Sequence, residues 1–154
     1  MENLVLAFTL KSTELMHTLI TDTLITSEVR DKSKIYSDEK IWKGLWDTGA
    51  SKSSIDNRIA HELSLIPVGM EKISTANGLV DVNTYLINLT LPNKVTIENL
   101  SVTSSDLGDD VDLLIGMDVI KLGDFSITNT NNSTTFSFRI PSIEEINYVN
   151  TKFE

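Results

Sequence analysis

The 154-residue chain contains no cysteine. Disulfide frameworks, thiolate zinc or iron–sulfur centres and thiol nucleophiles are therefore excluded together, and any chemistry must rest on oxygen or imidazole. Imidazole is itself scarce: the two histidines, His17 and His61, have no second ligand or Ser–Asp pair at useful spacing. Cationic residues are few as well, and 13 Lys and Arg against 22 Asp and Glu leave a formal charge of −9. Such a charge opposes binding to nucleic-acid phosphates or anionic lipid. Long apolar runs are missing too. The stretch Leu4 to Phe8 is too short to span a bilayer and follows Glu2 rather than a basic segment, so it reads as neither a signal peptide nor a membrane helix, and a cytoplasmic protein is expected. What remains is 40% hydrophobic and 23% charged residues with three prolines, enough to build one core in a single domain over 1–154.

Segments rich in Val, Ile, Leu, Thr and Tyr recur between turn signals, the pattern of an all-β barrel or sandwich. Strands are expected over Leu4 to Leu10, Leu15 to Thr26 and Ile41 to Trp46, with the polar stretch Ser27 to Lys40 as an exposed loop. Ser51 to Asn57 reads as extended. A short helix follows, capped by Asp56 or Asn57, with Ile59, Ala60 and Leu63 inward, His61 outward and Pro67 as its stop. Met70 to Thr75 and Leu79 to Leu91 form a hairpin through Ala76-Asn77-Gly78, because Asn-Gly tolerates the positive φ of a tight turn. Lys94 to Thr103 continues the sheet, and Ser104 to Asp110 is a polar loop. In Val111 to Ile120, Gly116 separates a strand from a helix. Phe125 to Thr130 and Thr134 to Ile140 make a last hairpin across Asn131-Asn132-Ser133, before a tail, Ser142 to Glu154, that reads as short helix or disorder.

One segment places a carboxylate where burial is otherwise expected. Gly44-Leu45-Trp46 runs straight into Asp47-Thr48-Gly49-Ala50-Ser51. Gly49 permits a turn that brings backbone N–H groups to the carboxylate, and the Thr48 hydroxyl is able to hydrogen-bond across a neighbouring loop. These residues resemble the active-site loop of the retropepsin-like, or retroviral-type, aspartic proteases. A second element of that family, apolar residues and a Gly opening the C-terminal helix, is matched by Leu113-Leu114-Ile115-Gly116, and the hairpin Lys72 to Tyr85, with its tip at Ser74 to Leu79, stands where the family places its flap. The resemblance spans Leu15 to Ile140.

It implies a retropepsin-like closed β-barrel with a flap hairpin and one or two short helices, and a catalytic role for Asp47. Thr48 then locks two loops together, Gly49 turns the loop and contacts substrate, and Ala50 lines the cleft floor. Thr75, Ala76, Asn77 and Gly78 cover the bound peptide, while Ile115 and Gly116 pack beneath the loop. The mechanism needs two carboxylates about 3 Å apart sharing one proton. No other Asp of the chain is followed by Thr-Gly or Ser-Gly, so each chain carries one half-site and a homodimer is implied. Met117-Asp118 stands where retroviral enzymes carry Arg-Asn, a pairing found in cellular and bacterial members. The function implied is an aspartic endopeptidase acting on a peptide or protein substrate without cofactor or metal; a catalytically silent, dimeric peptide-binding module of the same fold is the alternative.

Other residues read as structural. Asp106, Asp109, Asp110 and Asp112 lack the spacing of a calcium loop. Trp42 and Trp46 read as packing residues. Asn88, Asn99 and Asn132 stand in glycosylation-type triplets but read as turn and strand residues.

Overall fold

Alternating apolar and Thr-rich segments pair into ten strands among the residues that the computed structural model describes, 5–27, 40–75 and 78–150. In chain order these are β1 (Leu6–Lys11), β2 (Ile20–Ser27), β3 (Ile41–Trp46), β4 (Ser54–Asp56), β5 (Gly69–Thr75), β6 (Gly78–Thr90), β7 (Thr96–Ser105), β8 (Leu113–Ile115), β9 (Asp124–Thr130) and β10 (Ser133–Ile140). The helices are short: α1 (Asn57–Glu62), α2 (Met117–Ile120) and a 3₁₀ turn at Tyr148–Asn150. No described helix is long and apolar enough to cross a membrane.

Seven strands lie in the order β2-β3-β8-β4-β7-β6-β5, and β2 also pairs with β6. That extra pairing, Leu24 opposite Thr90 through Ser27 opposite Ile87, closes six of them into a ring. β5 stays outside the ring as the free arm of a hairpin with β6. The remaining strands form a separate sheet, β1-β10-β9. Its inner face carries Phe8, Phe125, Phe136 and Phe138, which surround Trp46 with ring centroids 4.8 to 6.0 Å away. The Trp46 indole N–H donates to Thr21 Oγ1 at 2.9 Å, so its one polar atom is satisfied in the core. Ile55, Ile87, Leu89, Val102, Leu113 and Ile115 are buried in the same cluster.

Several boundaries differ from the sequence expectation. The strand expected from Leu15 begins at Ile20, because the backbone of Ser12, Glu14 and Met16 is spent on Thr134: Ser12 N–H donates to its carbonyl, Glu14 C=O accepts from its amide, and Met16 N–H donates to its hydroxyl. The extended segment of Ser51 to Asn57 narrows to Ser54–Asp56, and the strand from Lys94 starts at Thr96 and takes in Ser104 and Ser105. Pro67 does not end α1. Leu63 and Ser64 do, with Ser64 at φ 50° and Ser64 and Leu65 N–H groups returning to His61 and Ala60 carbonyls, a Schellman stop. Asp56 supplies the N-cap. In the last hairpin, Asn131 and Asn132 hold φ 54° and 59° and Ser133 already belongs to the strand. The first strand, unmatched in the family resemblance, pairs along its length with β10 of its own chain. Twelve residues of the expected exposed loop, 28–39, and the tail end, 151–154, lie outside the described residues.

Candidate active site

β3 delivers Asp47 to its position. The strand runs parallel to β8 with Trp46 opposite Ile115, and Asp47 N–H continues that ladder by donating to the Ile115 carbonyl at 2.9 Å. Gly44 leaves room for the Ile115 side chain, since a Cβ there would stand 2.9 Å from Ile115 Cδ1. Beyond the strand the chain turns at once. Asp47 Oδ1 accepts from Gly49 N–H at 2.8 Å, and Ala50 N–H donates to the Asp47 carbonyl at 3.2 Å. A Cβ on Gly49 would lie 3.1 Å from the same carboxylate oxygen, tight for a side chain at a position where the amide must approach. Asp47 is half-buried, whereas Thr48 and Gly49 are exposed. Among the described residues the Thr48 hydroxyl has no hydrogen-bond partner within the chain.

The far side of the loop is fastened to α2. Met117 N–H donates to the Ala50 carbonyl at 2.8 Å, and Gly116 backs directly onto Ala50 and Lys52. Two residues that sequence reasoning left without a role do the fastening. Ser53, fully buried, donates its hydroxyl to Asp118 Oδ1 at 2.7 Å and its amide to Oδ2 at 2.9 Å, while its Oγ accepts from Gly116 N–H at 3.0 Å. The signal present in the sequence was Asp118 itself, a carboxylate two residues after the helix-opening Gly.

Asp47, Thr48, Gly49, Ala50, Ile115 and Gly116 are thus gathered in one region. The hairpin expected as a flap is formed by β5 and β6, with Thr75 opposite Gly78 and Gly78 at φ 111°. Ala76 and Asn77 lie outside the described residues. The hairpin meets the loop through the ion pair of Glu71 on β5 with Lys52.

Two of the acidic residues between β7 and β8 serve the backbone. Asp106 accepts from Gly108 N–H, and Asp112 accepts from Lys43 N–H and faces Arg58 at 3.5 Å. Among the described residues no three His, Asp or Glu side chains gather to hold a metal. Asp56 is buried, which pushes its carboxyl up, but the Leu107 and Arg58 amides and the Arg58 guanidinium outweigh this and hold it below the ordinary value. Asp124 is held well below the usual carboxylate range by the Ser142 hydroxyl, the Ile143 amide and Arg139. Trp42 and Trp46 are both buried, consistent with packing roles.

Residues 21–119 match the family model described as aspartyl protease. That is more than half of the chain, and the chain belongs to the aspartyl protease family. A retropepsin-like aspartic protease from Rickettsia conorii superposes with a TM-score of 0.53 at 14% identity, covering 88% of this chain and 94% of its own. The fold is therefore retropepsin-like. The EIAV protease in complex with an inhibitor aligns at 16% identity and a TM-score of 0.49, over 69% of this chain and 88% of its own. The retroviral protease-like domain of Ddi1 from Leishmania major aligns at 16% identity and 0.47, over 79% and 95%. No curated protein is significantly similar in sequence.

Proposed function

We propose that the chain is a single-domain aspartic endopeptidase that acts as a homodimer, with Asp47 and the partner's Asp47 forming one shared catalytic pair. The observation that carries this reading is a lone Asp-Thr-Gly loop, braced from β8 and α2, whose Thr48 and Gly49 are exposed. Two carboxylates brought together by a two-fold axis cannot both ionise, so they hold one proton between them. The ionised member takes a proton from a water as that water attacks the scissile carbonyl, and the protonated member donates to the carbonyl oxygen. Collapse of the tetrahedral adduct then returns a proton to the departing amine.

Thr48 supplies a hydroxyl that reaches the opposite loop, Gly49 leaves room for the substrate backbone and Ala50 floors the cleft. The hairpin tip at Thr75, Ala76, Asn77 and Gly78 covers an extended peptide held by main-chain hydrogen bonds. Ile115 and Gly116 support the loop from below, and no cofactor or metal takes part.

The test is cleavage of a diverse peptide mixture between about pH 4 and pH 7 by the parent and by Asp47→Asn, which keeps the shape but removes the shareable proton. Cleavage that falls at least about a hundredfold in the variant is expected. A folded dimer that cleaves nothing at any pH would instead favour the silent peptide-binding module.

A further inference from the structure

The geometry points to Lys52 and Glu71 as a positioning pair that sets the β5–β6 hairpin relative to the Asp47 loop. This rests on the protease reading of that loop, and it concerns how the flap is held.

The two ends of the pair differ in rigidity. Lys52 is anchored: its carbonyl lies against Gly116, where an added Cβ would come within 2.9 Å of it, and the next amide, Ser53 N–H, is held by Asp118. Glu71 stands on β5, an edge strand whose single neighbour in the sheet is β6. Among the described residues, Lys52–Glu71 is the one ion pair joining this hairpin to the rest of the chain; Lys72–Asp81 lies within the hairpin itself. Strand alternation adds a direction. Glu71 stands opposite Val82 and Ile73 opposite Val80, so these four share one face, and Met70, Lys72, Ser74, Leu79 and Asp81 share the other. Because Glu71 reaches the residue five beyond Asp47, its face, with Ile73, Val80 and Val82, is the one turned toward the site. The ion pair therefore sets the height of the hairpin over the loop, and strand alternation sets which apolar side chains share the face of Glu71.

Both side chains are partly exposed, at 31% and 43%, so the pair adds little to global stability and acts on the hairpin. Lys52→Met and Glu71→Gln are each expected to raise KM for a cleaved peptide about two- to fivefold, the range of one exposed ion pair, with kcat changed less. The charge-swapped double variant K52E/E71K is expected to return KM toward the parent value. The chain has no cysteine, so a nitroxide on Ser74→Cys, on the outward face, reports the hairpin alone. Its spectrum is expected to sharpen in both single variants and in high salt, and to recover in the swap.

An unchanged spectrum in Lys52→Met, or no recovery in the swap, overturns the pairing even if peptide is cleaved. A responsive spectrum in a protein that cleaves nothing supports the pairing while the protease reading fails.

Discussion

At the scale of single residues, the Asp47 loop depends on what Gly116 leaves empty. An added Cβ would meet Lys52 C at 2.8 Å and the Ala50 and Lys52 carbonyl oxygens at 2.9 Å, all backbone atoms that cannot rotate away. Gly116→Ala should therefore shift the loop itself, at a cost of about 1–3 kcal/mol. We expect a thermal midpoint lower by several degrees and a loss of peptide cleavage of about tenfold or more, since a misplacement of about 1 Å at a reacting group is enough for that. Full activity in a stably folded Gly116→Ala would show that the loop tolerates the displacement. The turn of Asp47 onto Gly49 and the close approach at Gly116 were legible in the sequence because they admit few other residues. Asp118 was marked only by its place two residues after that Gly, and its pairing with Ser53 was not legible. The two lie 65 residues apart, and a serine in a polar run carries no mark of the carboxylate it will meet.

At the scale of elements, the strands with regular alternation read well, and the errors fall where a remote partner took over. Thr134 claims the backbone that would have extended β2 toward Leu15, and a serine in the left-handed region stops α1 before Pro67. The turn after β10 is another long-range construction: the Asp124 carboxylate accepts from the Ser142 hydroxyl, Ile143 N–H and Arg139 Nε, binding the segment beyond Pro141 back onto β9. Those donors stabilise the ionised form, so the folded pKa lies below the ordinary 3.8. The stabilisation is complete above that ordinary value and is lost as pH falls through the lowered one. Asp124→Asn should thus be less stable than the parent near neutrality, and the gap in urea midpoint should shrink steadily below about pH 4. A gap that does not vary with pH would mean that the charge contributes nothing.

At the scale of the whole molecule, the β class was legible from the spacing of apolar segments and turns, and the retropepsin-like fold from the Asp-Thr-Gly triplet, the hairpin after it and the Leu-Ile-Gly element. Barrel closure was not, because it depends on Leu24 finding Thr90 across the chain, a pairing that no local pattern announces. The same limit applies to the sheet β1-β10-β9, which joins the two ends of the described chain and packs its phenylalanines around the Trp46 that precedes Asp47. The central claim, one catalytic pair made by two chains, predicts a stoichiometry. Parent and Asp47→Asn chains, co-refolded in equal amounts at fixed total concentration, should form dimers of which about one quarter hold two Asp47 residues. Peptide cleavage should then be about one quarter of that of the pure parent, and should follow the square of the parent fraction across a mixing series. A linear series, with about half the activity in the equal mixture, would mean that each chain works alone and would contradict the shared pair.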